Sequence, residues 1–379
     1  MKRKLKLNKN RIFPVSSPLI TKRDINKVKE TLNSGWISSD GPDIKKFEKN
    51  FSHFVNRKYS VAVSSGTAAL EIAIKALGIK ENDEVLIPDF TIISNALAVV
   101  RQGAKPILID CNLKDWNIKI EDIEKKISKK TRAIIVTHIY SFPNKMDKII
   151  KICNKYNLYI IEDAAEVLGS RYKNRMCGSF GDISTFSFYA NKQITTGEGG
   201  MLSMNNPKIY EKCKSLRNLC FGKVNRFNHD DIGWNYRMTN IQGALGLSQL
   251  KNIKYVVKKK MEIGKYYYQK LNENKNLQIL PPTNEYSKNI YWVVGIVIKK
   301  NKLTAKKLAE KLEKYGIKTR PFFWPMHKQK IFLKKKVFRE KNFPNSNYIS
   351  KYGLYLPSSI MLKKKEISYI CERLNKILS

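Results

Sequence analysis

The sequence lacks a long hydrophobic run, since no stretch approaches the ~20 consecutive apolar residues of a membrane-spanning helix. The segment 1–11 is basic, but it also lacks the apolar stretch of a secretory signal peptide. These two absences exclude a membrane-spanning or exported protein of the usual kinds. We therefore expect a cytoplasmic protein.

Cysteine and histidine are also scarce and dispersed. The chain has six cysteines with no Cys-x-x-Cys pair, and four histidines that show no metal-ligand spacing. Scattered cysteines in a chain of this size are typical of reduced residues in an intracellular protein. We expect neither a disulfide framework nor a metal site. Internal repeats and low-complexity segments are absent as well.

Negative charge is in short supply, because 32 acidic residues face 72 basic ones, for a net charge of +40. Such an excess indicates either nucleic-acid binding or attraction to an acidic small molecule. The lysines, however, are spread over the whole length, and runs such as 258–260 and 363–365 are short. This spread favours a solvated lysine-rich surface. A nucleic-acid-binding regulator remains an alternative function, and segment 1–11 a candidate electrostatic contact.

What the chain does have is the length and apolar content for two domains, with 379 residues of which 42% are hydrophobic. Strand-like and helix-like segments alternate from residue 59 to residue 188, which predicts an α/β domain with a mainly parallel sheet. A helical pattern over 249–271 leads into a smaller C-terminal α/β unit. We predict a large domain over 14–250 and a small one over 251–379.

The segment 64–67 connects a predicted strand, 59–63, directly to an apolar helix. Ser65, Gly66 and Thr67 bring backbone N–H groups, hydroxyls and the positive end of the helix dipole to one place. This arrangement binds phosphate in many proteins. An ordinary helix cap is the alternative, because Ser and Thr are the usual capping residues.

Two charged residues follow predicted strands farther along the chain. Asp163 ends the strand 158–163 directly after Glu162, and such buried acids are costly unless each has a partner. Lys192 lies between a strand containing Ser187 and the glycine-rich loop 195–200. It is either a solvated loop cation or an amine that forms a Schiff base with a carbonyl cofactor. Pyridoxal phosphate needs an amine, an anion for its ring nitrogen and a phosphate site, so the set is consistent with that cofactor.

Four ordered motifs carry a family resemblance. The segments 65–70, 162–166, 186–192 with 197–200, and 233–239 resemble the DegT/StrS sugar aminotransferase family. The resemblance runs from about Pro14 to the C-terminal helix. It implies a fold-type I aminotransferase with a large mainly parallel sheet domain, a smaller C-terminal α/β domain, and active sites shared across a homodimer.

The resemblance also implies roles for individual residues. Lys192 would bind the cofactor aldehyde, Asp163 would face the pyridine nitrogen, and Glu166 would lie beside the ring hydroxyl. The remaining cofactor-binding residues would hold the phosphate, with the last of them coming from the other subunit: Ser65, Gly66, Thr67, Ser187 and Asn235.

Two positions depart from the family pattern. Ile92 stands where an aromatic residue usually stacks on the cofactor ring. The usual His-x-Tyr-Gly turn ends in Ser141, so its backbone conformation is open to question. His138 in the same turn is either a structural histidine or a substrate contact.

The activity implied by the resemblance is transfer of an amino group from glutamate to the keto carbon of a nucleotide-linked sugar. The segments 34–41 and 319–327, together with Glu166, resemble members that aminate GDP-4-keto-6-deoxy-mannose. Trp36, Arg320 and His327 are the predicted substrate contacts.

Other substrates and roles stay open. A UDP- or dTDP-linked keto sugar is an alternative substrate. A pyridoxal-phosphate sugar dehydratase is another alternative, which Lys192 disfavours because those members carry histidine instead. Phe322 and Trp324 could equally be small-domain core, with Pro321 and Pro325 shaping a turn.

Overall fold

The computed structural model describes residues 11–222, 224–299, 303–338 and 342–379. Most of the basic segment 1–11 lies outside these ranges. Within them, strands form a seven-stranded sheet, a four-stranded sheet and a short hairpin. The strands are β1 (Tyr59–Val63), β2 (Glu84–Pro88), β3 (Lys105–Ile109), β4 (Thr131–Thr137), β5 (Tyr159–Asp163), β6 (Arg171–Tyr172), β7 (Arg175–Met176), β8 (Ile183–Ser187), β9 (Gly200–Met204), β10 (Leu277–Ile279), β11 (Val294–Ile298), β12 (Arg320–Pro321) and β13 (Gly353–Leu356).

Helices cover the sheets and link them. They are α1 (Lys22–Asn33), α2 (Pro42–Phe54), α3 (Gly66–Ala76), α4 (Ser94–Arg101), α5 (Met146–Tyr156), α6 (Pro207–Arg217), α7 (Asn240–Leu250), α8 (Ile253–Leu271), α9 (Ala305–Glu313), α10 (Lys330–Lys334), α11 (Pro344–Tyr352) and α12 (Lys364–Leu378). None of these helices combines the length and the apolar character that crossing a membrane requires.

The large sheet has the order β1-β9-β8-β5-β4-β2-β3, and β9 is its one antiparallel strand among the described residues. Its central strands are apolar along their length, as Ile134, Ile135 and Val136 in β4 show, because apolar groups pack against both faces of the sheet. The prediction of an α/β fold with a mainly parallel sheet is confirmed. Functional groups in such sheets collect at the carboxyl ends of the strands.

The small sheet has the order β10-β11-β13-β12, with antiparallel pairing throughout. Helices α8, α9 and α12 bury their apolar faces against it. The N-terminal segment joins this unit, because Phe13 is buried there and pairs with Ile317. The predicted division at residue 250 stays a prediction.

Two helix predictions differ from the structure. The sequence of segment 120–126 also predicts a helix, but this segment forms two 3-10 turns instead. The pattern 249–271 belongs to two helices, α7 and α8, which separate at Lys251 and Asn252. The Asn252 side chain accepts a hydrogen bond from Arg23 at 2.7 Å at this break. Buried residues recur every three or four positions through both helices, so the spacing in the sequence continues across the break.

Candidate active site

A cavity of about 410 Å³ lies between the carboxyl ends of the large-sheet strands and the small sheet. We call its two sides the large-sheet wall and the small-sheet wall. The large-sheet wall contains Ser65, Gly66, Thr67, Asp163, Glu166, Ser187 and Lys192. The small-sheet wall contains Trp292, Arg320, Phe323 and Tyr355. The cavity thus brings together all the predicted cofactor-binding residues except Asn235.

The N-terminus of α3 opens into this cavity directly after β1. The Ser65 hydroxyl caps the helix by accepting from the Ala68 N–H at 3.1 Å, and the Thr67 and Ser94 hydroxyls lie 2.8 Å apart. A Cβ on Gly66 would lie 3.0 Å from Cβ of Ser187, so only glycine fits without displacing β8. The first N–H groups of a helix have no partner within it. Ser65 is therefore a helix cap, as the alternative interpretation states. The phosphate site stays a prediction that is compatible with this cap, because the first N–H groups of α3 are still free to bind an anion.

Asp163 is buried at the end of β5, and its carboxylate accepts hydrogen bonds from two neighbours. It accepts from the Ala165 N–H at 3.2 Å and from the Thr137 hydroxyl at 3.4 Å, while Asn95 donates to Thr137 at 2.6 Å. Burial raises the pKa of Asp163, and the Ala165 N–H and the Lys192 charge oppose that rise. An anion fixed in this way can attract a proton on a cofactor ring nitrogen.

Lys192 and Glu166 form an amine–carboxyl pair on the same wall. Burial lowers the pKa of Lys192, and the charges of Glu166 and Asp163 act in the opposite direction. Burial likewise raises the pKa of Glu166 to about 7, against the effect of Lys192. The Glu166 carboxylate accepts from the Tyr140 N–H at 2.7 Å. A lysine with a lowered pKa is more readily a neutral nucleophile or base. Lys192 is half-buried and lines the cavity, so its position is not that of a fully solvated loop cation.

These groups fit pyridoxal phosphate. An amine, a fixed carboxylate and a helix N-terminus lie around one cavity, and the cavity is closed on its far side by aromatic residues. Pyridoxal phosphate presents an aldehyde, a ring nitrogen and a phosphate, which are the three groups that these features can hold.

Comparison with protein families identifies the chain. Residues 18–375 match the model of the DegT/DnrJ/EryC1/StrS aminotransferase family. The chain belongs to this family. The family depends on pyridoxal phosphate, so the predictions of an aminotransferase and of its cofactor are confirmed.

Individual relatives cover this aminotransferase almost from end to end. It is 39% identical to GDP-perosamine synthase of Escherichia coli O157:H7 over 97% of the chain and 99% of that protein. It is 35% identical to GDP-perosamine synthase of Vibrio cholerae, over 95% and 97% respectively. The solved structure of Helicobacter pylori PseC, an aminotransferase involved in the biosynthesis of pseudoaminic acid, superposes with a TM-score of 0.91 at 27% identity, covering 97% of this chain and 99% of that one. The predicted fold-type I architecture is thereby confirmed.

Of the predicted substrate contacts, only Arg320 lines the cavity of this aminotransferase. Trp36 is 55% exposed elsewhere on the surface. His327 is buried, and its Nδ1 lies 2.8 Å from the Asp89 carboxylate, so this chain alone does not present it to the cavity. Asn235 is exposed outside the cavity and pairs through its backbone with Asn218.

The alternative reading of segment 322–325 as core is correct for one aromatic residue and wrong for the other. Phe322 is 4% exposed and packs in a core cluster between the two sheets, against Trp116 and Tyr140, whereas Trp324 is 57% exposed. Ile92, at the position of the usual aromatic, lines the cavity and is 42% exposed. Its branched aliphatic side chain offers a smaller apolar face than a ring.

His138 is a structural histidine in this aminotransferase. Its Nδ1 accepts from the Asn144 N–H at 3.0 Å, so the proton lies on Nε2, which donates to Glu162 at 3.0 Å. Glu162 also accepts from Phe180 at 2.8 Å and from Ser184 at 3.1 Å. The nearby thiol of Cys177 completes a buried His–Glu–Cys group. The ring nitrogens of His138 and the carboxylate of Glu162 are already engaged in hydrogen bonds. This group therefore fixes the end of β5 beside Asp163.

Several cavity residues were not predicted from the sequence. Ser94 begins α4 of the large domain, and Phe323 lies in the segment 319–327 but was not itself singled out. Trp292 and Tyr355 look locally like ordinary loop and strand residues. Only the packing of the small sheet against the large one brings these two to the site.

Proposed function

We propose that this aminotransferase moves the amino group of glutamate to the keto carbon of GDP-4-keto-6-deoxy-mannose, producing GDP-perosamine. The observation that carries the proposal is a single cavity in which Lys192, Asp163 and the α3 N-terminus face Arg320. The names of the relatives at 39% and 35% identity support the nucleotide and the sugar. Glutamate as donor rests on the family resemblance.

Bound pyridoxal phosphate supplies an aldehyde for the amine and a protonated ring that withdraws electrons from the substrate carbon. Lys192 would bind that aldehyde and later move a proton to and from the substrate carbon, a task for which a lowered pKa suits it. The Asp163 carboxylate would keep the proton on the ring nitrogen. Gly66, Thr67 and Ser187 would hold the phosphate through N–H and hydroxyl groups.

Arg320 is the cation of the small-sheet wall, beside the Tyr355 hydroxyl. A guanidinium recognises phosphate oxygens through two parallel hydrogen bonds, so we assign it to the diphosphate of the substrate. The net charge of +40 attracts GDP, UDP and dTDP sugars alike and therefore does not select among them. Selection of guanine must come from contacts with the base.

The proposed site is shared by two subunits. Asn235 is exposed and outside the cavity of its own chain, which supports the assignment of its amide to the phosphate of a partner's cofactor. Mixing Lys192→Ala and Asn235→Ala chains should then restore part of the activity, since one site of each heterodimer carries neither lesion. If exchanged subunits recover no activity, the shared site is wrong.

A substrate panel tests the proposed reaction. GDP-, UDP- and dTDP-linked 4-keto-6-deoxy sugars would each be incubated with the enzyme, pyridoxal phosphate and glutamate, and amino sugar formation followed by mass spectrometry. We expect the highest kcat/KM with GDP-4-keto-6-deoxy-mannose. A clear preference for a UDP or dTDP sugar would defeat the GDP assignment and leave the aminotransferase intact.

A further inference from the structure

Trp292 lies against the reactive amine and had no role in the predictions. Nζ of Lys192 is 3.8 Å from the centroid of the Trp292 ring, and the indole is 4% exposed. This is the contact distance of a cation–π interaction, in which the negative face of the ring attracts an ammonium group. The indole itself is shielded from water, and cation–π interactions strengthen as the contact loses water.

Three hydrogen bonds hold Trp292 in place, two through its backbone and one through its ring nitrogen. The backbone N–H of Trp292 donates to the Ser141 hydroxyl at 2.5 Å, and its carbonyl accepts from Nζ of Lys260 at 2.9 Å. The ring nitrogen donates to the carbonyl of Asn191, next to Lys192 in the chain, at 2.7 Å. The backbone and the ring of Trp292 are therefore both fixed relative to Lys192.

Ser141 adopts a strained backbone conformation to make its contact. Its φ of +78° lies in the left-handed region, which is unfavourable for a non-glycine residue. The buried hydroxyl also donates to the carbonyl of Glu166 at 3.1 Å. It therefore connects the loop of Glu166 to Trp292. Glycine, the usual residue of this turn, would fit the backbone but lacks the hydroxyl.

Lys260 is a second buried lysine, and it makes hydrogen bonds to two carbonyl groups. Besides Trp292, it donates to the Ser358 carbonyl at 2.6 Å, and burial lowers its pKa to about 7. A neutral amine keeps two N–H donors, so both bonds hold in either protonation state. Burying an amine is costly. Here it fixes the backbone of Trp292 to the segment after β13.

We propose that Trp292 is a positioning residue for Lys192: its ring favours the ammonium form and directs Nζ, and Ser141, Lys260 and Asn191 hold the ring. The proposal rests on Lys192 being the reactive amine of the proposed function. Trp292 therefore determines how readily Lys192 becomes a neutral base. Loss of the aromatic face should raise the neutral fraction of Lys192 at a given pH.

The test measures the amine directly on full-length protein freed of cofactor. Trace acetylation with isotope-labelled acetic anhydride over a pH series, followed by mass spectrometry of the Lys192 peptide, reports the neutral fraction of that lysine. Trp292→Leu keeps the wall apolar and removes the ring. We expect roughly tenfold faster acetylation below the titration midpoint, because loss of the cation–π contact should lower the pKa of Lys192 by about one unit. Trp292→Phe, which keeps an aromatic face, should restore most of the wild-type profile.

Two further variants make the result decisive. Trp116→Leu removes an equally buried indole that has no contact with Lys192, so its Lys192 profile should match wild type. Ser141→Gly relieves the positive φ, which offsets part of the cost of losing the buried hydroxyl, and should speed Lys192 acetylation by roughly threefold because Trp292 loses one anchor. Ser141→Gly thus tests the proposal even if Trp292→Leu fails to fold.

The outcomes separate the two proposals. Profiles of Trp292→Leu and Ser141→Gly that match wild type, a slower acetylation, or an equal effect of Trp116→Leu would overturn the role of Trp292. An enzyme that transfers no amino group but shows the expected acetylation shifts would contradict the proposed function alone.

Discussion

The two walls of the cavity differ in the kind of group that they present. The large-sheet wall offers Asp163, Glu166, Lys192 and helix N–H groups, all of which carry charge or a dipole. The small-sheet wall offers three aromatic residues and one guanidinium. The first can hold and move protons, whereas under the proposed function the second would shape the space and recognise the substrate. Mutations in the two walls should therefore affect different steps.

The largest effect is expected for Lys192→Ala, in the large-sheet wall. Without the amine, neither covalent binding of the aldehyde nor proton transfer at the substrate carbon has a residue to perform it. Amino sugar formation should fall below detection, while Lys151→Ala, an exposed lysine on α5, should match wild type. Normal turnover of Lys192→Ala would show that Lys192 is not the reactive amine.

Asp163→Asn should have the next largest effect. The amide keeps the shape but not the charge that holds a proton on the ring nitrogen, and the loss of one such electrostatic group in a dry site costs about 10²- to 10³-fold in kcat. Cofactor binding, measured by equilibrium dialysis, should persist. An unchanged kcat would mean that another anion serves the ring.

Arg320→Ala, in the small-sheet wall, should raise KM for the nucleotide sugar by roughly tenfold, since a hydrogen bond to a charged group contributes about 1.5 kcal/mol or more. The reaction with glutamate should be unaffected, because that donor carries no diphosphate. Arg132→Ala, at an exposed arginine paired with Asp83, is the matched control. An equal loss in the reaction with glutamate and in the reaction with the nucleotide sugar would contradict a role of Arg320 that is limited to the diphosphate.

Glu166→Gln should have an effect that depends on pH. The pKa of Glu166 in the folded protein, about 7, is above its ordinary value of 4.5. Its contribution to the free energy of unfolding is therefore fully present below pH 4.5 and is lost as the pH rises through 7. The glutamine variant should thus gain on the order of 2–3 kcal/mol over wild type between pH 4.5 and 8. Urea unfolding of both proteins at several pH values measures it. A constant difference across that range would contradict the raised pKa.

The contrast between the walls also explains what the sequence could predict. Lys192, Asp163 and Gly66 follow strands of a regular β/α alternation, so local sequence gives both their chemistry and their place at one sheet edge. Trp292 and Tyr355 depend on how a second sheet packs, and no local pattern encodes that contact. The sequence predicts His327 as a substrate contact because histidine commonly contacts ligands. In the structure its side chain instead binds Asp89, from the loop after β2.

One measurement tests the central claim most directly: the visible absorbance of the purified enzyme, first with glutamate and then with GDP-4-keto-6-deoxy-mannose. The amino group should pass to the cofactor in the first step and to the sugar in the second. We predict that glutamate changes the cofactor spectrum and that the keto sugar reverses the change, with Arg320→Ala slowing only the reversal. A spectrum that glutamate leaves unchanged, or that the GDP-linked sugar fails to reverse, would contradict the account.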